Sequence, residues 1–182
     1  MGHALREGRL DANALDRERL RAIVGEGLEA WRADLWLQNS VRTAYHAGRY
    51  EQQQRDPTRG YLLYRTMQDE RVRPGHAKLE GVLLPKGHRF WATHYPPNGH
   101  NCRCRVDSKT RAEAEALVKA GGVQTRPPKE RLVSHIDSAT GERMQTPESV
   151  DPGWAHLPND AGRLARSVER SIQRLERWQA PI

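Results

Sequence analysis

The chain has 182 residues, enough for one moderate hydrophobic core, yet apolar residues make up only 36% and charged ones 29%, with a single Phe. Mean hydropathy is -0.88, and no apolar run approaches the ~18 residues that a membrane-spanning helix needs, so no membrane partner is expected and the cytosol is the expected compartment. The 30 Lys and Arg against 23 Asp and Glu give a charge of +7, suited to a polyanion or an acidic protein surface, and two cysteines one residue apart do not form a secreted disulfide framework.

In chain order, residues 1–15 are expected to form an N-terminal arm. Leu20, Val24, Leu28, Trp31 and Leu35 then recur at helical spacing on one stripe, with Asp16 as a cap. After a kink at Asn39-Ser40, Val41, Tyr45 and Gly48 continue a helical face until Asp56-Pro57-Thr-Arg-Gly60 ends it. Tyr61-Leu-Leu-Tyr-Arg-Thr-Met67 and Val82-Leu-Leu-Pro85 read as short extended segments, and most aromatic residues lie between Tyr45 and Tyr95, which centres the core there. Pro85-Lys-Gly87 and Pro96-Pro97-Asn98-Gly99 are turns, because Pro fixes φ and Asn-Gly tolerates positive φ. Cys102 to Val106 can leave the second turn as a strand.

Ser108 is expected to cap a helix over 109–119 that Gly121-Gly122 stops. Beyond the linker Gln124-Thr-Arg-Pro-Pro, the stretches Val133-Ser-His-Ile-Asp and Glu-Arg-Met-Gln-Thr146 pattern as a polar hairpin. A last helix from Asp160 carries Leu164, Val168, Ile172, Leu175 and Trp178 on one stripe, with Arg163, Arg166, Arg170, Arg174 and Arg177 beside it. Those arginines are either a solvated, partly Glu-paired face or a basic rail for a DNA backbone or a partner's acidic face. Together these elements predict an α+β fold with long N-terminal helices packed on a small antiparallel sheet: a domain over 16–125, a linker with a hairpin over 126–159, and a basic amphipathic helix over 160–182.

The central pieces, in order, are Arg71-Val-Arg73-Pro-Gly-His76-Ala-Lys-Leu-Glu-Gly81, Phe90-Trp91, Tyr95-Pro96-Pro97-Asn98-Gly99 and Cys102-Arg103-Cys104-Arg105-Val106. With Asn39 to Arg49 and Thr66 to Pro74 upstream, and Val150-Asp-Pro-Gly-Trp154 downstream, this order resembles the phage Mu F-like minor head protein family, related to head morphogenesis proteins of the SPP1 gene-7 type. The joint order is far more specific than any one piece. The resemblance covers roughly residues 20 to 160, and Gly81, Phe90, Trp91, Tyr95, Pro96, Pro97, Asn98 and Gly99 are its fold signature. It implies a virion component near the portal of the head, acting in assembly or on packaged DNA, with portal or capsid protein as partner, host cytoplasm as the place of assembly and no small-molecule substrate.

His76, Cys102 and Cys104, which the resemblance places in its shared motif, are one histidine and two thiols of the kind that hold Zn²⁺, with His100 or His94 as a fourth ligand. The one-residue spacing is unlike the common zinc modules. The alternative is that both thiols lie on one strand face and pack as small apolar groups beside Trp91, with His76 bonded to a backbone carbonyl. If the cysteines face inward, alternation sends Arg103 and Arg105 together to the opposite face. Arg71, Arg73, Arg103 and Arg105 then either pair with Asp69, Glu70 and Glu80 or meet a phosphate or a partner.

A non-enzymatic head protein is the leading expectation. A metal-dependent nuclease is the enzymatic competitor, motivated by His94, His100 and Asn101 beside the cysteines, but a closely spaced set of carboxylates and histidines to activate water is missing. A zinc-stabilised DNA-binding protein is the third reading, although neither a helix-turn-helix nor zinc-finger spacing is visible.

Overall fold

The computed structural model describes residues 30–136, 141 and 143–160. The Leu20–Leu28 part of the first stripe and the arginine-bearing helix after Asp160 lie outside these residues. Within them, helices and small antiparallel sheets combine in an α+β arrangement.

Helix α1, Ala30–Arg55, runs without interruption through Asn39-Ser40, where the sequence suggests a kink. Its docking face also differs from the sequence expectation. Val41 and Tyr45 are 46% and 58% exposed, so the apolar positions look outward. The inward stripe is Asn39, Arg42, His46, Arg49, Tyr50 and Gln53, which recur at helical spacing but are mostly polar.

The reason lies in what α1 packs against. Strands β1 (Tyr61–Arg65), β2 (Leu83–Pro85) and β3 (Arg105–Lys109) form one antiparallel sheet in the order β2-β1-β3, leaving β3 at an edge. Arg49 Nη2 and Gln53 Nε2 donate to the Val106 carbonyl at 3.0 and 2.8 Å, and Arg59 Nη1 donates to the Ser108 carbonyl at 3.0 Å. Side-chain donors thus cover an edge that would otherwise be a pairing template. On the other edge, Leu83 N donates to the Gln124 carbonyl at 2.8 Å.

Strand β1 is buried on both faces, which explains why Tyr-Leu-Leu-Tyr is apolar without alternation. Leu62 and Tyr64 enter the main core with Leu79, Val82, Leu84, Phe90, Trp91, Tyr95, Val106 and both cysteines. Leu63 turns to the opposite side, where it meets Leu83 and Ala114. Two one-turn helices sit between the strands, α2 (Pro74–Ala77) and α3 (Trp91–His94).

Helix α4, Arg111–Ala120, starts later than the sequence suggests. Ser108 and Lys109 are still strand, opposite Leu62 and Tyr61, so the cap moves to Thr110, whose hydroxyl accepts from Glu113 N while Glu113 bonds the Thr110 backbone. Gly121, with φ of +81°, ends the helix as expected. The hairpin is formed by β4 (Leu132–Ile136) and β5 (Arg143–Pro147), paired from Leu132 opposite Pro147 to Ile136 opposite Arg143. Among the described residues no helix is long and apolar enough to cross a membrane.

Candidate metal centre

The separate pieces of the sequence signature converge on one place. Pro74 opens α2 in the first-turn position where its missing N–H costs nothing, and Gly75 lies so close to Ser149 that a Cβ would stand 3.0 Å from its Cα. This packing turns His76 inward, where it is 3% exposed. Cys102, half-buried Arg103 and Cys104 approach β3 in extended alternation, which sends both thiols to the same buried side as Val106.

His76 Nδ1 stands 3.8 Å from Cys102 Sγ and 3.6 Å from Cys104 Sγ. The three potential ligand atoms all lie within 4.8 Å of one another. A tetrahedral ion with Zn–S near 2.3 Å and Zn–N near 2.05 Å has N···S edges of about 3.6 Å, so the two N···S separations are compatible with such an ion. His76 Nε2 is buried without a hydrogen-bond partner, so the ring is not held by a backbone carbonyl in the way a purely packed histidine would be. A metal held at Nδ1 would offset the cost of burying such a ring.

The thiols are tuned as a pair. Cys104 donates to Cys102, and with His76 and the Asn98 backbone N–H this holds the Cys102 thiol well below its ordinary pKa. Cys104 is pushed up, because ionising it beside Cys102 and away from water is costly, while the Tyr64 hydroxyl acts in the other direction. Cys102 is thus the more readily ionised of the two, and a cation bound here would favour loss of the second proton as well. Asn98, fully buried, donates through Nδ2 to the Tyr64 hydroxyl at 3.0 Å and to the His94 carbonyl at 3.1 Å, so it organises both thiols' supports.

Distant side chains fix the cysteine loop. Arg42 Nη1 donates to the Cys102 carbonyl at 3.1 Å, Arg73 Nη2 to the His100 carbonyl at 2.7 Å, and Asn101 N to Asn39 Oδ1 at 3.0 Å. Asn101, not Asn98 or Gly99, takes positive φ, at +56°. Gly99 is needed for a different reason: a Cβ there would collide with the Asp151 carboxylate. Gly81 combines positive φ with close approach, its Cβ position lying 2.9 Å from the Gly122 carbonyl. Trp91 Nε1 donates to the Pro85 carbonyl, Phe90 stacks on His94, Tyr95 donates to Gln53, and the Pro96-Pro97 bond is cis.

The two further histidines are placed elsewhere. His100 is exposed, hydrogen-bonded to Asn39 at 2.8 Å and edge-on to Trp154, so it stands outside the ligand cluster. His94 is stacked on Phe90 and faces Thr93 and Glu130. Arg103 forms a two-pronged pair with Asp69 at 2.7 Å on each arm, Arg105 lies 3.5 Å from Asp107, and Arg73 is 3.6 Å from Asp151. Arg71 is exposed. Arg163, Arg166, Arg170, Arg174 and Arg177 lie outside the described residues. Asn39, Arg42, Gln53, Tyr64 and Asp151 are supporting residues that apolar periodicity does not reveal; the signal for the first three is a polar stripe at helical spacing.

The family described as Phage Mu protein F like protein matches residues 6–107, a stretch that holds all three ligand candidates. The chain belongs to this family. It is 36% identical over 138 residues to capsid assembly protein F of Escherichia phage Mu, covering 67% of this chain and 30% of that protein. It is 34% identical over 112 residues to the Mu-like prophage FluMu F protein of Haemophilus influenzae, covering 60% and 27%. A shorter likeness, 44% over 45 residues, covers 25% of the chain and 7% of an uncharacterised protein of Methanocaldococcus jannaschii. The chain thus spans under a third of the length of these relatives. No solved structure matches it.

Proposed function

We propose that the chain acts in the assembly of a tailed-phage or prophage head, as a non-enzymatic minor component near the portal. The observation that carries this is its likeness to a relative named for capsid assembly over two thirds of the chain, with the family match itself spanning residues 6–107 and so the signature from Arg71 to Val106. Convergence of the signature on one buried cluster supports a scaffold role, since those residues hold the loop geometry rather than line a substrate cleft. The domain over 16–125 is the assembly unit, and the basic charge suits packaged DNA or an acidic partner face. Arg71, Arg105 and the arginines of 160–182 are the residues to meet them.

Within that role the His76, Cys102 and Cys104 cluster holds zinc as a structural ion. Separation of heads by density, followed by quantification of this chain in the head fraction, tests the assembly role. The chain is expected in mature or precursor heads together with portal protein, at few copies per particle; its absence from both contradicts the role.

A further inference from the structure

Building on zinc at His76, Cys102 and Cys104, we infer that the fourth coordination position is exchangeable and takes a carboxylate from outside the site, supplied by an acidic side chain of a neighbouring protein. Among the described residues the ligand cluster holds three donors, and four-coordinate zinc needs one more. A small cleft of about 20 Å³ reaches the three donors from the surface. That is room for one water or one donor atom and little else.

The wall of this cleft sets the charge of what enters. It is lined by Met67, Arg71, Val72, Arg73, Asn101 and Arg103 outside the ligands themselves. Zinc with two thiolates and a neutral imidazole is electrically neutral. Arg103 is matched by Asp69 and Arg73 by Asp151, while Arg71 has no ion pair among the described residues. With Asp69 acting on both Arg103 and Arg71, the mouth holds three guanidiniums against two carboxylates, an excess of positive charge that favours a monoanion over a neutral donor. A carboxylate oxygen is the protein-derived monoanion that zinc accepts at about 2.0–2.2 Å and that a guanidinium at the rim can also bind. Neighbours in an assembly would in this way complete the metal's coordination when they dock.

Cobalt(II) in place of zinc makes the donor set visible, because its d–d bands depend on coordination number and ligand type. The full chain loaded with cobalt is titrated with sodium acetate, against sodium perchlorate at matched ionic strength, and then with acetyl-aspartyl-amide against acetyl-asparaginyl-amide. Acetate and the aspartyl probe are expected to shift the d–d bands saturably, with no shift from perchlorate or the asparaginyl probe. Arg71→Gln should raise the half-saturating acetate concentration by about fivefold. Thiolate-to-cobalt bands that form but do not move with either carboxylate would mean that the chain closes its own site, overturning the inference and leaving the zinc assignment intact. A shift with acetate alone would overturn the neighbouring-protein source. Absence of any thiolate-to-cobalt band would remove the zinc assignment itself.

Discussion

Arg73 Nη2 donates to the His100 carbonyl oxygen at 2.7 Å and stands 3.6 Å from the Asp151 carboxylate. One guanidinium thereby joins three pieces that are far apart in sequence: the turn that presents His76, the loop that presents the cysteines, and the segment after the hairpin. Replacement by Ala removes a charge-assisted hydrogen bond and leaves Asp151 unpaired. Arg73→Ala is expected to lower stability by about 1–2 kcal/mol in urea unfolding and to weaken zinc binding about tenfold in a chelator competition. Unchanged affinity would show that the loop holds its shape without this contact.

Gly99 tests the same junction sterically. A methyl at this position meets the Asp151 carboxylate and lies 3.0 Å from Arg73 Nη1. Gly99→Ala is expected to cost about 1–3 kcal/mol, read as a lowered urea midpoint, and Gly87→Ala, where nothing lies within 4 Å, should be nearly silent.

The junction of α1 with the core depends on a buried polar pair. Tyr95 donates from its hydroxyl to Gln53 Oε1 at 2.8 Å, and Gln53 Nε2 donates to the Val106 carbonyl. Tyr95→Phe leaves the Gln53 oxygen buried without a donor, which is expected to destabilise the chain by about 1–3 kcal/mol with the far-ultraviolet spectrum retained at neutral pH. Stability equal to wild type would mean that Gln53 finds another donor.

The fold was legible where burial follows sequence period and hidden where polar groups carry the packing. Strands β1 and β2, the hairpin and the Gly121 stop follow from apolar runs and turn chemistry. The docking face of α1 does not, because Arg42, Arg49 and Gln53 bond to backbone carbonyls of the cysteine segment and β3, whereas Val41 and Tyr45 face outward. Cys102 and Cys104 on one side follow from strand alternation, but the approach of His76 depends on Gly75 fitting against Ser149, a contact that only the tertiary structure supplies. Sequence proximity to the cysteines makes His100 a ligand candidate; the bend at Asn101 and the His100 bond to Asn39 carry it to the surface.

His46 gives the structure a specific acid sensitivity. Burial holds its pKa down to about 4, with Arg42 and Arg49 adding to the effect and Cys102 opposing it. An unfolded chain takes up this proton below about 6.5, whereas the folded chain does so only near 4, so stability is full above 6.5 and falls as pH drops through that window. The contribution reaches about 3 kcal/mol. Unfolding of chelator-treated wild type and His46→Phe across pH 4 to 7 should show a slope that is steeper in the wild type; equal slopes would mean that His46 is not buried neutral.

Native mass spectrometry of the full chain is the most direct measurement of the metal centre on which this account rests. The wild type is expected to carry one zinc ion that is lost on acidification, and the Cys102→Ser, Cys104→Ser double variant to carry none while His100→Ala keeps it. A wild-type chain that stays metal-free after exposure to zinc, or a double variant that binds it equally well, would contradict the assignment.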